Sequence, residues 1–231
     1  MIACYHRTNR AQVTLLTATF NLSYVTKEHT VSSNNLYRIA GIAGILSAIF
    51  MLAFLAVTDP ATGTPLPYIV ASSSVGIIMV AGLYALYRGD ASALSLAAGA
   101  ISVIGYVLFV VASLMQVTFP HPVLAAADIA IYIVGLSMFS WLAYRTHKMP
   151  RLLAVVGFLA ALAGAGAYVV MAITGTVLTS IENLPPVLMA LFIVYLIGVV
   201  IWLAWTGISL LRMKPIAATA QAPGAVTDQP A

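Results

Sequence analysis

From Leu36 onward the chain is built of apolar runs, each on the order of 20 residues, separated by short connections that hold most of its charge. That recurrence limits the fold more than any other feature. A hydrocarbon core of about 30 Å is crossed by roughly 20 residues of α-helix rising about 1.5 Å each, and only helices or closed barrels satisfy the backbone there. The runs predict an all-α, polytopic membrane helix bundle with transmembrane helices over residues 36–57, 68–87, 92–117, 123–144, 150–173 and 186–211. Breakers separate them: the proline- and glycine-bearing stretch from Asp59 to Pro67, the tight turn Arg88 to Asp90, and the segment from Phe119 to Pro122. With 62% hydrophobic and 7% charged residues, the chain holds far less charge than the roughly 25% usual in soluble domains, and no soluble domain is left over.

The charges orient the spans. Lys and Arg concentrate in cytoplasmic connections, and every one of the ten falls there if both termini are cytoplasmic. Arg38, Arg88, Arg145, Lys148, Arg151, Arg212 and Lys214 are read as topology anchors that contact anionic headgroups. The outer connections carry Asp59 and Glu182 instead. Tyr37, Tyr84, Tyr87, Trp141, Tyr144, Trp202 and Trp205 fall near the inner helix ends, where interfacial anchors belong. The basic residues sit beside spans without interleaved exposed aromatics, so the expected partner is the lipid bilayer and not nucleic acid. The localisation that follows is the cell membrane, multi-pass.

The two ends differ from the body. Residues 1–35 form a leader whose modest run, Val13 to Val25, is broken by Thr and Asn and lacks the cleavage pattern of a secretory signal. It is read either as disordered or as untranslated, since Lys27-Glu28 can be encoded by a purine-rich ribosome-binding site and Val31 by a GTG start. Residues 213–231, rich in Ala, Pro, Gln and Thr, are expected to be a disordered cytoplasmic tail. Cys4, the single cysteine, excludes an internal disulfide and any multi-cysteine metal site.

Small residues supply the packing logic, because lipid gives helices no hydrophobic reason to associate. The fifth span is the richest in Ala and Gly and is expected at the centre. Ala40 with Gly44, Ser72 with Gly76 and Ala160 with Gly164 have the spacing that lets backbones approach, read as contacts within the chain. Ser72, Ser73 and Ser74 lack a span histidine or lysine to activate them, and are read as packing or backbone-bonding serines.

Ionisable groups in the spans are sparse. Asp128 is the one acid inside a predicted helix, about two turns from its outer end. One reading has it reaching back to water, favoured by the helix dipole. The other joins it to His121, seven positions earlier on the same face, Tyr132 one turn later, Gln116 across the outer connection and Glu182 from the last one, as an outward-facing pocket for a small cation or polar ligand. No catalytic residue, metal site or cofactor is expected: the spans show no chain of carboxylates, no paired histidines and no phosphate-binding glycine loop.

The order Tyr132 to Trp141, then Tyr144 to Leu153 with Gly157, then Trp202 to Ile208, resembles a group of bacterial six-helix membrane proteins defined as a domain of unknown function. That group carries a Pro-Arg-Trp-Leu-type motif between its fourth and fifth helices; here Leu152 stands where the tryptophan is usual. The resemblance implies the six-helix architecture and transfers no active-site residue. The expected function is a non-enzymatic scaffold or partner of a membrane-protein complex, ahead of a small-molecule or ion permease using the outer polar cluster, with a lipid-modifying enzyme third. A permease needs polar groups continuing through the middle of the bundle, an enzyme a convergent nucleophile and base, a scaffold neither.

Overall fold

The computed structural model describes residues 35–54, 66–115, 121–175 and 185–213. The expectations for the leader, the tail from Lys214, and Cys4, Asp59, Gln116 and Glu182 fall outside those residues. Among the described residues there are six helices long and apolar enough to span a membrane: α1 (Asn35–Phe54), α2 (Leu66–Tyr87), α3 (Ser92–Leu114), α4 (Pro122–Thr146), α5 (Arg151–Thr174) and α6 (Pro186–Arg212). The shortest has 20 residues and so reaches about 30 Å, the thickness of the hydrocarbon core.

Local chemistry sets the ends. His121 caps α4, its Nδ1 accepting from the Val123 amide at 3.2 Å, and Pro122 takes the first helical position, where no N–H is required. The helix stops at His147, which adopts a left-handed conformation with φ 55°. Pro150, expected inside the fifth helix, is instead the extended residue before it, with ψ 133°. Gly175 ends α5 at φ 63°, a backbone state that glycine reaches without steric cost. The third helix ends at Leu114, earlier than expected, and Met115 forms a turn.

One irregularity has no counterpart in the hydropathy pattern. Residues Ile129–Gly135 of α4 are wound as a π-helix between two α-helical portions, Pro122–Asp128 and Leu136–Thr146. Such widened turns are rare and recur at functional sites.

The helices pack as a closed ring in chain order. Each of α2 to α5 lies against its successor, while α1 completes the circuit by touching both α2 and α6. Gly41 and Gly44 meet Gly207 so closely that a Cβ on Gly44 would come within 2.8 Å of the Gly207 Cα. Gly82 gives room to Ala40 in the same way. On α1 the inward face is small and the outward face large: Ala40, Ala43, Ser47 and Ala48 are buried, whereas Ile39, Ile42, Ile49 and Leu52 are exposed. This is membrane logic, in which close backbone approach and not hydrophobicity selects the packed face. The three expected small-residue pairs all pack within the chain: Ala40 and Gly44 as above, Gly76 under Tyr106, Ala160 against Gly198 and Gly164 against Tyr195. The fifth helix is not the centre. It lies in the ring between α4 and α6, because its small face is matched to Gly198 and Tyr195 of α6 and to Ser140 of α4.

Up-and-down connection places Arg38, Arg88, Arg145, Lys148, Arg151 and Arg212 at one end of the ring, all exposed. His121 and Asp128 stand toward the other end. The serines behave as backbone-bonding residues: Ser72 donates to the Ile69 carbonyl at 3.1 Å and Ser74 to that of Val70 at 2.7 Å.

Candidate functional site

Asp128 ends the first α-helical part of α4, one residue before the π-helical segment. It is half-buried and turned toward α5 and α6. The Tyr168 hydroxyl of α5 donates to Oδ2 at 3.0 Å, and the Tyr195 hydroxyl of α6 lies 2.9 Å from Oδ1 and 3.0 Å from Oδ2. Both carboxylate oxygens are therefore satisfied by neutral donors, and the described Lys and Arg residues are all at the far end of the bundle. The idea that Asp128 turns back to water is replaced by this inward geometry. A carboxylate in a span costs about 2.5–3.5 kcal/mol by insertion scales, so two hydroxyl donors offset part of that cost.

The tyrosines are themselves positioned. Tyr195 is almost fully buried and packs edge-on against Phe192, ring centroids 6.0 Å apart, and against Tyr132 at 6.5 Å. Gly164 makes the room, since a Cβ there would come within 2.9 Å of the Tyr195 ring. Tyr132 lies in the π-helical segment and within electrostatic reach of Asp128, Tyr68 and Tyr195. Tyr132 and Tyr106 of α3 line the same cavity. Tyr106 extends over Gly76 of α2, where any β-carbon would collide with the phenol. Tyr68 packs edge-on against Phe50, centroids 5.3 Å apart, and donates to the Phe50 carbonyl.

Of the residues expected to form the outer pocket, the structure joins Asp128 and Tyr132. His121 is used as the helix cap, and Gln116 and Glu182 lie outside the described residues. Sequence reasoning missed Tyr68, Tyr106, Tyr168 and Tyr195. Their one visible signal is position, because each lies in a span away from the basic end, where an interfacial anchor of the inner belt has no place.

Inward of this cluster lies a cavity of about 20 Å³. It is lined by Ser102, Tyr106, Tyr132, Phe139 and Trp202, with aliphatic side chains of α2 and α6. That volume is on the order of one water molecule. Ser47 Oγ, Ser140 Oγ, Trp202 Nε1, Thr206 Oγ1 and the Tyr87 hydroxyl are buried without a hydrogen-bond partner among the described residues. Ser140 Oγ and Trp202 Nε1 converge on the face of Gly157. Tyr87 and Trp202, expected as interfacial anchors, are instead core residues, 0% and 3% exposed; Trp141 and Tyr144, stacked with centroids 6.3 Å apart, are exposed as such anchors should be. Tyr87 packs against Phe139 with centroids 6.5 Å apart and feels the charge of Asp90 at the surface.

At the basic end Lys148 donates to the Leu86 carbonyl at 2.8 Å and forms an ion pair with Asp90, tying the α4–α5 connection to the end of α2. Arg151 approaches the His147 ring at 3.2 Å. Among the described residues no group of three His, Cys, Asp or Glu side chains gathers to hold a metal ion. The chain matches no protein-family model, no curated protein and no solved structure.

Proposed function

We propose that the chain is a small-cation permease of the cell membrane, with its basic end and both termini in the cytoplasm, and that Asp128 is the charge that receives the cation. The observation that carries this reading is a half-buried carboxylate within a span, held by two tyrosine hydroxyls and facing no cationic side chain among the described residues. An anion so placed attracts a cation that the protein does not itself supply. Polar side chains also lie inward of it, Tyr132, Tyr106 and Ser102 at the central cavity and Thr206 and Tyr87 nearer the basic end, and a permease requires such groups within the bundle where a scaffold does not. The described residues bring together no activated nucleophile and base, so this reading stands ahead of the lipid-modifying enzyme. Kinship with the bacterial six-helix group is part of the same proposal, supported by the meeting of Ser140, Gly157 and Trp202, all within the stretches that carry the resemblance.

The test is flux into proteoliposomes containing the full chain, using Na⁺, K⁺, methylammonium and H⁺ in turn. At least one should enter with the wild type and none with Asp128→Asn. Equal fluxes from the two folded proteins would defeat the permease, and a stable partner co-purified from native membrane in that case would restore the scaffold.

A further inference from the structure

Resting on the permease reading, we infer that the transported cation is a proton, which binds at Asp128 and moves inward through the hydroxyls of Tyr132 and Tyr106 to the central cavity. The coordination around Asp128 selects against a metal ion. An alkali or divalent cation in a dry site needs several oxygen ligands, whereas here there is a single carboxylate whose oxygens already accept from the Tyr168 and Tyr195 hydroxyls, and no second acid stands beside it among the described residues; a proton needs only one remaining lone pair. An organic ammonium or a hydrated ion is excluded by size along the inward route, since the cavity of about 20 Å³ admits one water molecule. A proton needs only groups that each donate one hydrogen bond and accept another, and hydroxyls and water do both.

The route has that composition. The Tyr195 hydroxyl donates to Asp128, the Tyr195 ring packs against that of Tyr132 with centroids 6.5 Å apart, and Tyr132 and Tyr106 line the cavity together with Ser102. Each hydroxyl along the chain accepts one proton and releases its own, so one charge moves and the heavy-atom framework is unchanged. At the basic end, Tyr87 presents a buried hydroxyl that has no hydrogen-bond partner among the described residues. Among the described residues the titratable groups facing Asp128 are Tyr132 on α4, Tyr168 on α5 and Tyr195 on α6, with Tyr106 of α3 and Tyr68 of α2 on the far side of Tyr132. None of these is a lysine or arginine, and the tyrosines stay neutral where a carboxylate titrates. Protonation of Asp128 therefore changes the charge of the cluster without a compensating ion.

Two measurements on the reconstituted full chain test this. Infrared titration over about pH 4 to 9, the range of ordinary and buried carboxylates, should show a protonated-carboxyl band that is absent in Asp128→Asn. Proton flux, followed with a pH-sensitive dye inside the vesicles, should vanish in Asp128→Asn and fall roughly a hundredfold in Tyr106→Phe, while Tyr106→Phe keeps the infrared band. A band that never appears in the wild type, together with Na⁺ or methylammonium flux that depends on Asp128, overturns the proton and leaves the permease standing. A normal band with unchanged flux in Tyr106→Phe overturns the route. A band with no flux of any cation overturns both readings.

Discussion

Gly157 shows how much the packing depends on single atoms. A methyl group added there would run into Ser140 Oγ and come within 2.7 Å of Trp202 Nε1, and both neighbours are buried on all sides. Gly157→Ala should therefore cost about 1–3 kcal/mol, the usual penalty for overpacking a tight core, read as a lower unfolding midpoint in detergent. Gly89, in the turn between α2 and α3, has nothing within 4 Å of the place a methyl group would take, and Gly89→Ala should stay within about 0.5 kcal/mol of wild type. The same residue scale explains two misplaced anchors. Tyr87 and Trp202 sit at helix ends where the sequence favours an interfacial role, but which way a ring turns is decided by the small neighbours that admit it, and Gly157 admits Trp202 inward. At Asp128, Tyr168→Phe removes one donor and leaves Tyr195, so it should weaken cation flux less than Asp128→Asn does. Flux lost as completely as in Asp128→Asn would mean that Tyr168 does more than hold the carboxylate.

At the scale of elements, α4 is the informative helix. Its π-helical segment changes the angular relation between Asp128 and the portion Leu136–Thr146, which packs against α5 through Ser140. Removing one residue, Ala130, restores a regular α-helical turn and rotates the outer part by about 100° relative to the inner part. The expected variant inserts and folds, shown by unchanged helical circular dichroism, yet places Asp128 out of reach of Tyr168 and Tyr195 and carries no cation. Retained flux would show that the widened turn is irrelevant to the site. The six spans were legible in the sequence because hydropathy and breaker residues are local properties, and each helix falls within a few residues of its expected bounds wherever those bounds are described. The π-helical turn was not, since it answers to neighbours: Gly135 lies against Ser102, and Gly105 against the Ala127 carbonyl and Ile131. The site was half legible. Asp128 and Tyr132 are one turn apart on one helix, but Tyr168 and Tyr195 are 40 and 67 positions from Asp128, a distance that only the ring closes.

Over the whole molecule, the basic end has two duties that a single residue, Lys148, combines. On the proposed topology it carries charge for orientation, and it clasps α2 through the Leu86 carbonyl and Asp90. The clasp is weak as a stabiliser, because both side chains remain more than a third exposed. Such pairs contribute about 1 kcal/mol or less, and a cation at a helix C-terminus adds a similar amount. Orientation, by contrast, answers to the summed charge of short connections. Lys148→Gln alone should thus lower the unfolding midpoint slightly and leave the topology intact, since Arg145 and Arg151 remain in the same connection. Replacing Arg145, Lys148 and Arg151 together with glutamine should impair insertion or invert the affected hairpin. Accessibility of a tag in the α4–α5 connection, measured from each side of the membrane, separates the two cases. If the triple variant kept its orientation but lost cation flux, these residues would belong to the transport path, and the clasp between Lys148 and Asp90 would be a gate at its inner end.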